Sequence, residues 1–390
     1  MEKTEKNILK LHSNHFFKEF TFGKNKFIGH SKGQQLEFAD NVVWIDQFFL
    51  IFQIKDRNIE QEINFENWFK SKILRKAVQQ IKNTISYLNE FTEILIENER
   101  GVLHDIAKAK GQNPLKLIVY NLGHIFEDTL RNQKSYFSSK IGHIHLLHIE
   151  DYNLICEILI TPYEIQEYLI FREQLIKTNG KSLNSLTEEY ILKHYLIDHT
   201  NTDINLEYNR KKIDIIFDID VFDISSMIQD FNKKVLLTSG KNDYYYIIKE
   251  LAKLHRSDLK HFKERFSLAI NKCRDQQFDI PYRMTASESK CGFVFIPLEF
   301  ERKQNAKNAL SNFTNIHMYD QHLDKGIGML SYFNPIEKYF DIFWMYIDQE
   351  WVEDKDYEKI IYKDFPLRKV TSEIDYRYYL KAEQETSGNK

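Results

Sequence analysis

The sequence predicts an α/β protein, and three observations support that fold class. Short runs rich in Val, Ile, Phe and Trp alternate with longer segments in which apolar residues recur at three- and four-residue steps. Through residue 176 the predicted order is helix, hairpin, helix, strand, strand, helix, which suits one layered unit around a small sheet. With 390 residues, the chain is long enough for two or three domains.

The first predicted elements are a helix, a hairpin and a second helix. Residues 5–20 carry apolar side chains at helical spacing. Residues 36–45 and 48–55 are apolar on both faces and are separated by Asp46-Gln47, so we expect a hairpin buried between other elements. Residues 66–92 predict a long amphipathic helix.

Two strands and a capped helix complete the first predicted domain. The strands are expected at residues 117–120 and 143–149. Thr161-Pro-Tyr-Glu164 has the pattern of a capping box with Pro at the first helical position, and it predicts a helix to about residue 176. The polar segment 177–185 (KTNGKSLNS) is the best candidate linker, which gives predicted domains at residues 1–180 and 186–382.

The second predicted domain is also mixed α/β, and its role cannot be predicted from its residues. Alternating acidic and apolar residues indicate a strand at 213–224, and apolar spacing indicates a helix at 243–275. Further strands are expected at 291–300 and 342–347.

Composition excludes several classes of protein. The 54 basic and 57 acidic side chains give a formal charge of −3, so any contact with nucleic acid must come from a local basic patch. Cys156, Cys273 and Cys291 form no disulfide framework or metal motif, and they suit a reducing compartment. The N-terminus lacks a signal peptide, and the densest apolar run, at 48–52, is far too short to span a membrane. We therefore expect a cytoplasmic protein without a membrane partner.

The hairpin carries the polar residues of greatest interest. If Asp46-Gln47 is a two-residue turn, position i on the first strand faces position 93 − i on the second, so Asp40 faces Gln53 and has Lys55 as its diagonal neighbour. Three polar groups would then meet within an apolar hairpin. Leaving them without partners would cost roughly 1–3 kcal/mol each, so they must satisfy one another or bind an ion.

These residues resemble a known family. Glu37-Phe-Ala-Asp40, twelve intervening residues and then Gln53-Ile-Lys55 resemble the PD-(D/E)XK nuclease superfamily, and in particular its E-x-x-D…Q-x-K members among uncharacterised bacterial restriction and phage-defence proteins. The resemblance implies a restriction-endonuclease-like core, a small mixed sheet flanked by helices. It covers residues 8–92 well and 93–176 loosely, and it hardly extends to residues 186–390.

The resemblance also implies roles for individual residues. Asp40, Gln53 and the Ile54 carbonyl would hold Mg²⁺ or Mn²⁺, whose preferred ligands are hard oxygen atoms. Lys55 would orient or activate the attacking water. Gln53 replaces the usual acidic residue and removes one negative charge, which Glu37 or Glu19 could compensate. We count Glu37 among the expected catalytic residues and Glu19 among the expected metal ligands.

The predicted second helix supplies the expected contact with nucleic acid. Its polar side chains near the apolar stripe would touch the phosphate backbone or point toward the metal: Lys72, Arg75, Lys76, Gln79 and Gln80. The implied function is metal-dependent hydrolysis of phosphodiester bonds, most simply in double-stranded DNA and in bacterial anti-phage defence.

Other interpretations stay open at this point. Asp40, Gln53 and Lys55 could be a purely structural salt bridge, and the chain could be a catalytically inactive module that binds nucleic acid, a partner protein or a second copy of itself. An RNA-directed nuclease is a third possibility. His143 and His145 share one predicted strand face, but two imidazoles alone do not make a zinc site, and a polar strand face is the simpler reading.

Overall fold

The computed structural model describes residues 3–29, 34–58, 64–123, 131–210, 223–234, 240, 242–278, 280–365 and 367–369. The chain divides into two compact units, with the boundary between Ile215 and Ile216. Both units are mixed α/β, as the sequence predicts. Most of the strand expected at 213–224 lies outside the described residues.

The boundary between the units differs from the predicted one. Residues 177–185, expected to be a linker, form the end of a helix and a 3₁₀ turn (Gly180–Ser185) inside the first unit. Gly180 has a φ of 56°, a backbone conformation that ends helices and favours glycine. The polar residues of this segment belong to a helix end and a tight turn. The linker prediction failed because the same residue types are common in caps, turns and linkers.

The first unit contains ten described strands: β1 (Thr21–Phe22), β2 (Lys26–Ile28), β3 (Gln35–Glu37), β4 (Asn41–Ile45), β5 (Phe48–Asp56), β6 (Leu95–Glu97), β7 (Leu103–Asp105), β8 (Leu115–Asn121), β9 (Ser135–Ser138) and β10 (Gly142–His148). Six of them form one sheet in the order β1-β4-β5-β8-β10-β9. Strands β5, β8 and β10 run parallel, and the other neighbours are antiparallel, so the sheet is mixed. Strands β2–β3 and β6–β7 make two small hairpins.

The predicted register of the β4–β5 hairpin is confirmed. Asn41 pairs with Phe52 and Ile45 with Phe48, so paired residue numbers sum to 93. The chain turns at Asp46, whose φ of 55° is a conformation that Asp tolerates better than most residues.

The first predicted strand of this hairpin is wrong in its extent. Residues 36–45 do not form one strand, because the chain leaves β3 at Glu37 and enters β4 only at Asn41. The Asn25 side chain donates to the Ala39 carbonyl (3.0 Å), and Phe38 N–H donates to the Asn25 carbonyl (2.8 Å). These bonds divert the backbone between the two strands.

Among the described residues, six helices accompany the sheet: α1 (Lys3–His15), α2 (Phe65–Trp68), α3 (Val78–Glu90), α4 (Ile149–Ile158), α5 (Pro162–Asn179) and α6 (Glu188–Asp198). Helix α1 ends five residues before its predicted limit. Helix α5 starts at the predicted cap, where Thr161 Oγ1 accepts from Glu164 N–H (3.1 Å). Helix α4 was not predicted.

Helices α2 and α3 are joined by a π-helical stretch, Phe69–Ala77, so residues 65–90 form the continuous helix that the sequence predicts. Its buried residues include a series at steps of four, Phe65, Phe69, Ile73, Ala77 and Ile81, beside Trp68, Val78, Thr84 and Leu88. A step of four overshoots an α-helical turn of about 3.6 residues. The wider π-helical turns take up this excess and keep the apolar stripe against the sheet.

The second unit has a four-stranded sheet in the order β11 (Tyr282–Thr285), β12 (Cys291–Pro297), β13 (Lys325–Asn334), β14 (Tyr339–Asp348), in which only β12 and β13 are parallel. Its helices are α7 (Ser225–Lys234), α8 (Tyr244–Ala252), α9 (Arg256–Arg274), α10 (Ala306–Asp320) and α11 (Lys355–Asp364). The helix expected at 243–275 is thus two helices. The expected strands at 291–300 and 342–347 correspond to β12 and β14.

Glycines set the distance between α10 and this sheet. A Cβ at Gly328 would lie 2.1 Å from Thr314 Oγ1, and one at Gly326 would lie 2.6 Å from the Met318 side chain. Larger residues would push the helix away from the strands. Within the described chain, no helix combines the length and the apolar character that crossing a bilayer requires.

Candidate functional site

The β4–β5 hairpin brings the predicted polar residues together. Asp40 directly precedes β4, and Gln53, Ile54 and Lys55 lie near the end of β5. Gln53 and Lys55 follow Ile51 at two-residue steps, so their side chains share its face of the sheet. Ile51 belongs to the same hydrophobic core cluster as Leu88 of α3, and this face therefore lies under the long helix. We call Asp40, Gln53, Ile54 and Lys55 the hairpin site.

Three oxygen atoms converge on one point of the hairpin site. The Lys55 ammonium donates to Asp40 Oδ2 (2.8 Å), to the Ile54 carbonyl (2.9 Å) and to Gln53 Oε1 (3.1 Å). An ammonium group has three donors, and here all three are used. We call the Asp40 carboxylate, Gln53 Oε1 and the Ile54 carbonyl the oxygen cluster.

The hairpin site is enclosed but not sealed. The side chains of Asp40 and Lys55 are 7% and 14% exposed, while Gln53 is fully buried. Asp40 Oδ2 also accepts from Ile54 N–H (2.6 Å), which fixes the carboxylate against the β5 backbone. An enclosed, pre-positioned set of oxygen atoms at the end of a strand is suited to holding a cation.

Helix α3 contributes a polar group above the segment that carries Asp40. The Thr84 hydroxyl donates to the Phe38 carbonyl, so this face of α3 lies over residues 38–40. Gln80 is one turn earlier on that face, and its Oε1 is buried with no hydrogen-bond partner among the described residues. Gln79 instead donates to Asn83 (2.9 Å) at the surface. Of the two predicted glutamines, only Gln80 therefore lies on the face directed toward the hairpin site.

The two predicted auxiliary acids do not join the hairpin site. Glu37 lies on β3, is exposed and pairs across the small hairpin with Lys26. Glu19 follows α1 and accepts from Arg100 Nε (2.7 Å). Trp44 N–H donates to the Phe20 carbonyl (3.0 Å), which puts Glu19 at the turn end of β4, the end opposite Asp40. Trp44 is four residues from Asp40, and at about 3.3 Å per residue that separates the two ends of β4 by roughly 13 Å.

The basic residues of the long helix differ in exposure. Arg75 and Lys76 are exposed, whereas Lys72 is partly buried. All three lie in the π-helical stretch, whose opposite side packs on β5 and β8. Arg75 and Lys76 are thus the cations of this helix best able to meet an external phosphate.

Two further residues near the site escaped the sequence analysis. His12 of α1 is buried between Asn41 Oδ1 (2.6 Å from Nδ1) and the Tyr152 hydroxyl (2.7 Å from Nε2), and it supports the residue after Asp40 from the opposite face. Asp56 ends β5, and its Oδ1 is buried without a partner among the described residues. A His isolated in an N-terminal helix gives no recognisable signal, whereas Asp56 directly follows the Q-x-K motif.

A second polar group lies on the other side of the sheet. His143 and His145 of β10 come close to Glu173 of α5, with potential ligand atoms within 4.8 Å of one another. Arg172 Nη1 lies 3.0 Å from His145 Nδ1. A guanidinium can only donate, so Nδ1 accepts and the neutral imidazole carries its proton on Nε2. That proton occupies the position where a metal would bind, so this arrangement does not suit a metal ion.

Arg172 belongs to a fully buried network. It donates from Nε to Glu188 Oε1 (2.6 Å) and from Nη2 to Glu188 Oε2 (3.1 Å), and it also donates to the carbonyls of Lys134 and Leu146. Burial alone would raise the pKa of Glu188, but Arg172 and Lys134 outweigh it and hold that pKa at about 2. The network ties α5 and α6 to β10.

Comparisons with known proteins add little to this description. No family model matches the chain, and no solved structure matches it. The chain is similar to a putative ankyrin repeat protein of Acanthamoeba polyphaga mimivirus, with 25% identity over 221 residues. The alignment covers 54% of this chain and 33% of that protein, so the chain spans about a third of its relative's length. A similarity of this extent does not assign the chain to a family.

Proposed function

We propose that the chain is a metal-dependent nuclease whose first unit has a restriction-endonuclease-like core and hydrolyses phosphodiester bonds, with double-stranded DNA as the substrate and anti-phage defence as the setting. The arrangement of elements supports this proposal. An antiparallel hairpin leads into parallel strands β5, β8 and β10, with α1 and the long helix contacting β5. The setting and the DNA substrate come from the E-x-x-D…Q-x-K resemblance alone.

The observation that carries the proposal is the oxygen cluster. A carboxylate, an amide oxygen and a backbone carbonyl all lie within 3.1 Å of the same positively charged nitrogen. Such a point favours any cation, and these oxygen donors match those that Mg²⁺ and Mn²⁺ prefer. A purely structural salt bridge needs only Asp40 and Lys55, whereas this arrangement adds two further oxygens.

The residues present fit a divalent ion. Asp40, Gln53 and the Ile54 carbonyl would hold it, and when bound it would supply a more acidic water and neutralise charge on the phosphate. Once released from the oxygen cluster, Lys55 would donate to a phosphate oxygen or orient the attacking water. Gln80 is placed on the helix face above and could accept a hydrogen bond from that water.

Positive charge for the nucleic acid backbone would come from Arg75 and Lys76. Both are exposed and neighbour each other on the long helix that covers the hairpin site. Contacts of this kind position a nucleic acid without reading its sequence.

A catalytically inactive module that binds nucleic acid or a partner protein is the second candidate. One observation favours it: the hairpin site contains a single carboxylate, because Glu37 and Glu19 lie elsewhere. One carboxylate and one ammonium balance each other, so the site is stable as a salt bridge without any metal. The two candidates differ in whether a divalent ion enters the oxygen cluster.

Cleavage assays separate these candidates. Plasmid DNA and total RNA would be incubated with the full chain in Mg²⁺ or Mn²⁺. Asp40→Asn and Lys55→Met should each lower the cleavage rate at least about a hundredfold, since Asp40 would hold the metal and Lys55 would donate to the phosphate or orient the water. Glu93→Gln, which alters an exposed acid outside the site, is the matched control and should cleave at the wild-type rate.

Two results would count against the nuclease proposal, and a third would change its substrate. Cleavage that survives unchanged in both Asp40→Asn and Lys55→Met would point to a contaminating enzyme. Wild-type protein that binds DNA but never cleaves it would favour the inactive module. Faster cleavage of RNA than of DNA would retain the site and change the substrate.

A further inference from the structure

Lys55 occupies the point that a bound cation would need. Its Nζ is the shared hydrogen-bond partner of all three members of the oxygen cluster, at 2.8, 2.9 and 3.1 Å. Each of these oxygens has a second lone pair, but the three bonds to Nζ converge on one position, and that position cannot hold an ammonium and a divalent ion together. The ammonium must therefore move before the ion can take these three ligands.

Charge makes this competition strong. Asp40 supplies the one negative charge of the hairpin site, and Lys55 already balances it. The site is largely shielded from solvent, so a divalent ion placed beside the ammonium would be repelled with little screening. Glu37 and Glu19 were expected to offset this repulsion, but both lie away from the hairpin site.

We propose that Lys55 is an internal counter-ion that competes with a divalent metal for the oxygen cluster, so that the protein without nucleic acid binds the metal weakly. This inference rests on the proposed function, because it assumes that the oxygen cluster is the metal site. A phosphate group would relieve the competition, since it offers Lys55 a new acceptor and adds negative charge beside the ion. Metal and nucleic acid should therefore bind cooperatively, each increasing the affinity of the other by the same factor.

The test measures Mn²⁺ binding to the full chain by titration calorimetry, without nucleic acid. Lys55→Met removes the ammonium and keeps much of the side-chain volume, so Mn²⁺ should bind at least about tenfold more tightly than to wild type. Lys55→Arg keeps the charge and should show no such gain. Lys108→Met, an exposed lysine outside the site, is the control and should match wild type.

Thermal unfolding gives a second readout. Without metal, Lys55→Met should have a lower Tm than wild type, because Asp40 loses its partner. Adding Mn²⁺ should then raise the Tm of Lys55→Met more than it raises that of wild type. Adding Asp40→Asn to Lys55→Met should abolish the gain, which would place the ion at the oxygen cluster. If Lys55→Met does not fold, Lys55→Gln replaces it.

The outcomes separate this inference from the proposed function. Equal or weaker Mn²⁺ binding by the neutral variants, or no binding by any variant, overturns the competition. If wild type cleaves DNA but the neutral variants gain no affinity, the nuclease proposal stands and the competition fails. If the neutral variants gain affinity but wild type cleaves nothing, the competition stands and the nuclease proposal fails.

Discussion

The ion pair between Arg172 and Glu188 and the ion pair between Lys55 and Asp40 both lie in the first unit, and they differ in their surroundings. Arg172 and Glu188 are fully buried and held by several fixed partners in a rigid, bidentate geometry. Lys55 is a single flexible ammonium, slightly exposed, and its acceptors are all oxygens that could bind a different cation. The first arrangement suits permanent structure, and the second suits exchange.

Breaking the Arg172 pair should have the largest effect on stability. Arg172→Met leaves Glu188 buried without its main partner, so the free energy of unfolding should fall by about 3–5 kcal/mol. Urea unfolding followed by circular dichroism measures this. Lys177→Met is the control, because its pair with Glu173 is largely exposed and should contribute less than about 1 kcal/mol. A loss of less than about 1 kcal/mol in Arg172→Met would contradict the structural role.

Acid should reveal which buried groups fail first. Burial lowers the pKa of His12 to about 3 and that of His317 to about 4, both from 6.5. As the pH falls below 6.5, the unfolded chain takes up protons at these histidines before the folded chain does. Their contribution to the free energy of unfolding is therefore complete above pH 6.5. It declines as the pH falls toward 4 for His317 and toward 3 for His12, by up to about 1.4 kcal/mol per pH unit for each group.

The Arg172–Glu188 pair should outlast the histidines. The pKa of Glu188 lies below its ordinary 4.5, so its contribution is complete above pH 4.5 and is lost as the pH falls toward 2. Urea unfolding at pH 7, 6, 5, 4 and 3 tests this order. His12→Gln should flatten the decline between pH 6.5 and 4, and identical profiles for this variant and wild type would show that His12 does not titrate as described.

Adding a carboxylate should bring out the exchangeable character of the hairpin site. In Gln53→Glu the new carboxylate would lie within reach of Lys55 and give the oxygen cluster a second negatively charged ligand. The affinity for Mn²⁺ should therefore rise about tenfold. If the chain is a nuclease, cleavage at limiting Mg²⁺ should also increase. Gln304→Glu, which changes an exposed amide outside the site, controls for charge, and equal affinities in the two variants would argue against the oxygen cluster.

The smallest expected effect concerns the surface of the long helix. The double variant Arg75→Gln and Lys76→Gln should weaken DNA binding several-fold. The slope of log K against the logarithm of the salt concentration should fall in magnitude by about 1.8, because each lost phosphate contact lowers it by about 0.9. Fluorescence anisotropy at several salt concentrations measures this slope. Lys108→Gln should leave the slope unchanged, and an unchanged slope in the double variant would remove these residues from the interface.

The sequence predicted the parts of the site that depend on local geometry. A two-residue turn and strand alternation are enough to predict the β4–β5 register, and Asp40, one residue before the first paired residue, meets Lys55. The apolar stripe likewise predicted the helix over residues 65–90. Its π-helical stretch was not predicted, although the steps of four between buried residues are a recognisable sign of it once the structure is known.

Long-range contacts explain what the sequence did not predict. The break between Glu37 and Asn41 depends on Asn25, because Phe38 and Ala39 are as apolar and buried as strand residues. The interpretation of His145 depends on Arg172, which follows it by 27 residues and determines which imidazole nitrogen carries the proton. Residues 177–185 lie between α5 and α6, and both helices are bound to the first unit by contacts distant in sequence, among them the pairing of Glu188 with Arg172.

The π-helical stretch has a consequence for how the basic residues are displayed. Wider turns change the angle at which successive side chains leave the axis, so Arg75 and Lys76 do not point where an ordinary helical wheel would put them. Deleting one residue between Phe69 and Ala77 would allow regular winding. It would also rotate the cations relative to the apolar stripe, so a chain of nearly identical composition would present its positive charge in a different direction.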